Sequence, residues 1–219
     1  RLAPAPAEII VVDGAGSAAT ASVCSRFGAR WIASAPGRGV QLASGVRAAS
    51  SEILWFVHAD CLPATDAVGS IREVIAAGAH GGYFRFRFGG RRGVVQRVLE
   101  CCIAWRCRIG MVYGDQGIFV RRTAYAASPG FRAEPLFEEV ALVRALKASR
   151  RFVGLHSPMA VSPRRWQRDG FMQRTAMNRM LATSHALGVR ASTLAQWYTR
   201  TSSRREQHTA QRGQTSERG

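Results

Sequence analysis

Lysine is almost missing from the 219-residue chain: Lys147 stands alone among 31 basic residues, which face only 14 acidic ones for a formal net charge of +17. The arginines are scattered along the whole chain amid abundant Ala and Gly, as a GC-rich genome imposes on any protein. The same charge also suits an anionic membrane face or a phosphate-bearing ligand, and suits nucleic acid less well. Long apolar runs are missing too. Ile9 to Val12 and Ile53 to Val57 fall far short of the roughly 20 residues that cross a bilayer. The N-terminal Arg1-Leu-Ala-Pro-Ala-Pro lacks the apolar stretch of a secretory leader, so the expected compartment is cytoplasmic, with peripheral contact to an anionic inner membrane face left open. Five cysteines without paired CxxC spacing give neither a disulfide framework nor a zinc site. Cys101, Cys102 and Cys107 share one stretch, but a helix points the first two apart, and buried free thiols are expected. With 47% hydrophobic and 21% charged residues, the chain is neither intrinsically disordered nor a coiled coil.

What is present is an alternation of strand and helix signals. Ile9-Ile10-Val11-Val12 has the continuous β-branched pattern of a strand covered on both faces, and it ends at Asp13-Gly14. A helix over 17–27 closed by Gly28, a strand over 30–33 and a helix over 38–49 follow. Ile53-Leu54-Trp55-Phe56-Val57 is a second fully apolar strand, stopping at His58-Ala59-Asp60. Such alternation predicts a doubly wound, mainly parallel α/β sheet. After a helix over 64–77, Tyr83 to Phe88 alternates with period two, which predicts a half-exposed antiparallel strand and makes the sheet mixed. Helices over 93–109 and 138–149 and strands over 117–120 and 152–155 complete it. Helices over 166–187 and 191–198 are able to pack on the sheet or lie on a membrane surface. Residues 199–219, rich in Arg, Ser, Thr and Gln, read as a basic disordered tail.

Ligands of such sheets gather beyond the carboxyl ends of the strands, where Asp13 and Asp60 both stand. The Gly14-Ala15-Gly16-Ser17 turn offers backbone N–H groups to an anion, or is ordinary Asp-Gly turn chemistry. His58 and Asp60 have the donors for a divalent ion that also holds a diphosphate; the alternative is a cap for the following helix. Glu138 and Glu139 open a helix, where the dipole favours negative charge, and one of them is a candidate general base. Asp115 and Gln116 lie in a polar insertion before a strand, equally readable as a tight turn. Arg164, Arg165 and Trp166 set two cations beside an aromatic ring, suited to a diphosphate or headgroup or to a solvated helix start.

Taken in order, VVDGAGSAAT, GRGVQLASG, EILWFVHADCLP, YGDQGIFVRR, PLFEEVALVRAL and SPRRWQRDG resemble one branch of glycosyltransferase family 2. This is the branch labelled radical-SAM/selenodomain-associated or arsenosugar-biosynthesis glycosyltransferases, and the likeness covers about residues 7–198. The resemblance implies a GT-A (Rossmann-like) fold over residues 1–198 and an inverting transfer of sugar from a nucleotide-diphosphate donor to an acceptor hydroxyl. It implies a divalent metal, Mn or Mg. By that resemblance Asp13, Gly14 and Arg38 take the nucleotide side of the donor, and the DxD-like motif falls on His58-Ala59-Asp60 with Asp60 the expected ligand. Glu139 takes the base position beside Glu138, and Asp115, Gln116 and Glu138 face the acceptor, whose identity is open.

Three departures from the family pattern bear on activity. Ala18 stands where the turn usually carries a second Asp. Glu139 replaces an Asp base, lengthening its reach by one methylene, and placement errors of about 1 Å are costly in rate. The family also carries an additional strand and helix before the first strand seen here, so the domain is expected to be N-terminally incomplete. A catalytically degenerate binding protein of the same fold is the alternative reading, followed by a basic membrane-surface or nucleic-acid-binding protein.

Overall fold

The computed structural model describes residues 2–198; the tail expected over 199–219 lies outside them. Elements alternate in the order β1 (Ile10–Asp13), α1 (Ala18–Arg26), β2 (Arg30–Ala33), α2 (Arg38–Ala48), β3 (Ile53–Trp55), β4 (Cys61–Pro63), α3 (Ala67–Ala76), β5 (Gly81–Phe88) and α4 (Val94–Arg108). They continue with a 3-10 turn (Gly114–Gln116), β6 (Phe119–Arg121), α5 (Arg122–Ala126), α6 (Val140–Ala148), β7 (Phe152–Val161), α7 (Arg164–Asp169) and α8 (Phe171–Ala186). A last helix, α9, covers 191–198. The single helix expected over 166–187 is two: Gly170, at φ +81°, breaks it, in a left-handed conformation that costs glycine little. Short β4 and α5 carry too few residues for a periodic signal.

Strand pairing divides the expected single sheet into two. β1 and β2 form a parallel pair, and a five-stranded mixed sheet runs β3-β6-β5-β7-β4. In the latter the longest ladder, β5 with β7, is parallel rather than antiparallel as expected, while β3–β6, β5–β6 and β4–β7 are antiparallel. β7 outruns its expected end at residue 155. A register shift opposite Phe84/Arg85 jumps the pairing from Leu155 to Pro158, and this bulge hides the continuing strand from a period-two reading.

The alternation of β5 holds. Phe84, Phe86 and Phe88 are buried and Arg85 and Arg87 exposed. The three rings meet Ala67, Ile71 and Ile75 of α3, with Phe119 and Met159, in the main core. Leu142 and Leu146 of α6 close a second core on Leu54 and Val120. The expectation of buried thiols holds for Cys107 and fails for Cys101 and Cys102, which are exposed on α4; Cys24 is buried in α1.

β1 departs most from expectation. Instead of being covered on both faces it is only half-buried throughout, because among the described residues its one strand partner is β2. Toward β3 there is a cleft of about 870 Å³, walled by Ile9 to Val12 on one side and Ile53 to Val57 on the other. Leu42 and Val46 of α2 and Val68 and Ile71 of α3 also line it. The carboxyl ends of β1 and β3 thus face each other across an open slot.

Candidate active site

At one end the slot is lined by Arg38, His58, Ala59, Asp60 and Arg165, residues from three separate stretches that the strand ends bring together. Behind His58 lies a second group: the 3-10 turn after α4 and the loop entering α6. The amide of Gly114 donates to Glu139 Oε1 at 2.9 Å. A Cβ on Gly114 would stand 2.7 Å from His58 Nε2, so a glycine is what lets the imidazole edge close on this turn. Glu138 Oε1 lies 3.5 Å from Arg38 Nη1, with the Glu138 side chain 1% exposed. Phe137, directly before the pair, has φ +63°, a left-handed conformation that costs a residue with a Cβ about 1–2 kcal/mol. It turns the chain so that both carboxylates enter the interior.

Four buried polar atoms here have no hydrogen-bond partner: His58 Nε2, Asp115 Oδ1, Glu138 Oε2 and Glu139 Oε2. Buried polar groups are rarely left so, and four of them on these neighbouring stretches mark a place shaped for a ligand. The electrostatics follow from burial. Desolvation, reinforced by neighbouring Glu138, raises the Glu139 carboxyl to about 7. Desolvation also raises the fully enclosed Asp115. His58 is pushed down to about 4, by burial first and then by the cations of Arg38 and Arg165, with Asp60 opposing. It is therefore neutral at pH 7, the form that ligates metals or accepts protons. Cys61, raised to about 12 by burial and the nearby Asp60 and Asp115 charges, stays a thiol.

On the side expected to hold the nucleotide, Asp13 ends β1 as expected, but two of the turn's amides point back to it. The N–H groups of Ala15 and Ser17 donate to the two Asp13 carboxylate oxygens at 2.8 and 2.9 Å, and these bonds hold the Asp13 pKa below its usual value. The anion served by this turn is Asp13 itself. Gly14 is needed for packing, since a Cβ there would approach Pro36 Cα to 3.0 Å. Arg38, first residue of α2, is half-exposed and bridges the slot and Glu138.

Other expectations divide. Asp60 is exposed at the start of β4, where a carboxylate is open to an ion. Among the described residues no three His, Cys, Asp or Glu side chains converge as a metal cluster. A divalent ion held largely by a diphosphate and water needs only one or two protein carboxylates, and Asp60 fits that demand. His58 fits it less directly, since its Nε2 edge lies against Gly114. Gln116 does not face an acceptor: it is 1% exposed. Its amide nitrogen donates to Phe84 O, and its oxygen accepts from Tyr113 N and Arg106, so its polar groups are spent on holding the turn. The Arg164-Arg165-Trp166 trio separates as well. Trp166 packs edge-on against Phe88 at 5.2 Å and Arg165 lines the slot, while Arg164 is an exposed first residue of α7.

Sequence reasoning passed over Arg106, whose guanidinium lies 4.5 Å over the Tyr113 ring, and His185, stacked on Phe137 at 4.5 Å. No motif surrounds either residue. The strain at Phe137 has no signature in the sequence at all.

The architecture has counterparts of known structure. Glucosyl-3-phosphoglycerate synthase from Mycobacterium tuberculosis, in complex with phosphoglyceric acid, superposes with a TM-score of 0.53 at 19% identity, over 73% of this chain and 64% of that one. The same enzyme in complex with Mn2+ and UDP-glucose gives 0.54 at 19% identity, over 83% and 71%. In complex with Mn2+, UDP and glucosyl-3-phosphoglycerate it gives 0.52 at 18%, over 73% and 64%. The chain thus spans somewhat less than two thirds of the first of these structures, and the likeness is one of GT-A fold. No curated protein matches the chain. The model of glycosyl transferase family 2 matches residues 3–119, more than half of the sequence, and with the GT-A architecture this places the chain in glycosyltransferase family 2.

Proposed function

We propose that the chain is an inverting glycosyltransferase that moves a sugar from a nucleoside-diphosphate donor to an acceptor hydroxyl, with Glu139 as general base. One observation carries the proposal: a buried carboxyl near pKa 7 with one oxygen anchored by the Gly114 amide and the other unpartnered. That is the condition of a base able to take a proton at neutral pH. Glu139 Oε2 takes the proton of the acceptor hydroxyl. The acceptor oxygen bonds to the anomeric carbon from the face opposite the leaving group, and the bond to the diphosphate breaks with its electron pair leaving on the diphosphate. A single displacement inverts the centre. Arg38 and Arg165, at the end of the slot, offset the charge of the departing diphosphate. A divalent ion at Asp60 would supply further positive charge to the same oxygens.

UDP is the first nucleotide to test, because the similar mycobacterial enzyme is described with UDP, UDP-glucose and Mn2+. The radical-SAM-associated branch, with its unknown acceptor, belongs to this proposal on the same motifs. Calorimetric titration with UDP, GDP and dTDP, each with and without Mn2+, repeated on Asp60→Ala, tests the donor site. Micromolar binding that requires both ion and carboxylate is expected, and binding indifferent to both sinks the assignment. The second reading, a binding protein without turnover, draws on Ala18 and on an Asp13 carboxylate already occupied by its own turn. Donor binding with no transfer or donor hydrolysis selects it.

A further inference from the structure

Helix α4 is apolar on two faces. Its inner face, with Leu99 and Ile103, packs on the cores beneath, and Cys107 is buried. An outer stripe stands in solvent: Val94 is 77% exposed, Val95 47%, Val98 55%, Trp105 60%, and Ile109, at the helix end, 56%. At 100° per residue these five fall within an arc of roughly 100°, centred away from the side that carries Leu99 and Ile103. A contiguous exposed apolar stripe of this kind marks an interaction surface.

The charges beside the stripe identify what it meets. Arg91, Arg97 and Arg108 are exposed, and Arg97 and Arg108 lie together along one border of the stripe. Between residues 89 and 112 the sequence holds one carboxylate, Glu100. It is turned inward, 7% exposed, accepting from Phe88 N at 2.8 Å and from Arg92 Nη1 at 2.9 Å. The outer face therefore presents valines, a tryptophan and arginines with no anion of its own. A second copy set on this face by a two-fold axis would bring arginine borders near each other with no carboxylate to pair them. An anionic bilayer surface provides both parts of the complement: headgroup charge for the arginines and an acyl boundary for the valines and isoleucine. Tryptophan is the side chain enriched at that depth.

We infer that α4 is a membrane-surface helix, seating the protein on anionic lipid through Val94, Val98, Trp105 and Ile109 with Arg97 and Arg108 at the headgroups. This surface differs from the C-terminal helices, to which the sequence alone pointed. It does not depend on the proposed activity: α4 contributes none of the groups assigned to the transfer.

The test uses the full chain with vesicles of phosphatidylglycerol mixed into phosphatidylcholine, and with phosphatidylcholine alone. Cosedimentation is expected to be about tenfold stronger on the anionic vesicles and to weaken as salt rises. The double variant V98D/W105D is expected to lose about tenfold in partitioning while keeping its circular dichroism and UDP affinity. Because that variant could lose its fold, a gentler one stands beside it. Lipids brominated on the acyl chain are expected to quench tryptophan fluorescence of the wild type, and Trp105→Phe to remove most of that quenching without altering cosedimentation by more than about twofold. Three results each overturn the inference: no binding to anionic vesicles, quenching unchanged in Trp105→Phe, or a wild-type dimer in sedimentation velocity that V98D/W105D dissociates. The last would assign the face to a second copy.

Discussion

In the five-stranded sheet Phe84 and Phe119 are wholly shielded from solvent, whereas none of the eight residues of β1 and β2 is buried. Ile9, beside β1, is 49% exposed. Both sheets are made from apolar β-branched and aromatic runs, so composition does not explain the difference. What differs is enclosure: β5 has strands on both edges and α3 and α4 against its residues, while β1 has β2 on one edge and a slot on the other. The same division separates the carboxylates of the site. Asp13, on the two-stranded side, stays solvated and is held ionised by amides of its own turn. Glu139, on the other side, is enclosed and held toward its protonated form.

The largest expected effect breaks the carboxylate half of this comparison. Glu139→Gln should lower turnover by about 10²–10⁴-fold, the usual contribution of a general base, with UDP affinity changed less than threefold. Asp13→Asn should do the reverse, moving donor affinity and leaving kcat close to wild type. Steady-state kinetics with calorimetry on both variants checks the pair, and equal losses of kcat would dissolve the distinction.

The enclosure half is tested by truncation. Phe84→Ala should cost about 3–5 kcal/mol in urea unfolding, the range for a fully buried phenylalanine, and Ile10→Ala on half-buried β1 about 1 kcal/mol. Should Ile10→Ala cost as much as Phe84→Ala, the slot is closed in solution. Gly114→Ala sharpens the site itself. Its Cβ would meet His58 and displace the amide that anchors Glu139, so turnover should fall about tenfold or more while the urea midpoint moves little.

The smallest expected effects are pH-dependent and opposite in sign in the two regions. Glu139 keeps its proton in the folded chain up to about 7, against the usual 4.5. Between those values the folded state binds more protons than the unfolded one, so this group's contribution to stability falls as pH rises. Glu139→Gln, which cannot ionise, should therefore be more stable than wild type at pH 8 and nearly equal to it at pH 5. Glu8, lowered to about 2 chiefly by the Ser50 amide and Ser51, acts the other way. Its contribution is complete above 4.5 and is lost as pH falls toward 2, and Glu8→Gln should lose most of its deficit there. Urea midpoints across pH for the two variants against wild type decide both signs.

Much of the architecture was legible because period and punctuation agree locally. Ser17 caps α1 by accepting from Thr20 N at 3.4 Å, Gly28 follows that helix at φ +67°, and β5 alternates as its sequence does. The split of the sheet was not legible, since the run Ile9 to Val12 looks the same whether or not a strand lies on its other edge. Nor was the β7 extension, where a bulge interrupts the pattern. In the site, Asp60 and the Glu138-Glu139 pair could be picked out because strand ends and helix starts are visible in sequence. The inward turn of Gln116, the lock of Gly114 on Glu139 and the strain at Phe137 arise from residues brought together by folding, and no spacing announces them.

Arg122 joins the two sheets in a way that bears on how the molecule comes apart. Its guanidinium donates to the carbonyls of Ser51 at 3.0 Å, Ala49 at 2.8 Å and Val46 at 3.5 Å, while its own amide donates to Glu52 O at 2.7 Å. One side chain thus pins the carboxyl end of α2, the helix packed on β1, onto the start of α5 and the five-stranded sheet. It acts as a clasp between two units of unequal burial. Hydrogen exchange should register it as the boundary of a separately opening foldon, with the amides of β1 and β2 exchanging by local opening while those of β5 and β7 wait for global unfolding.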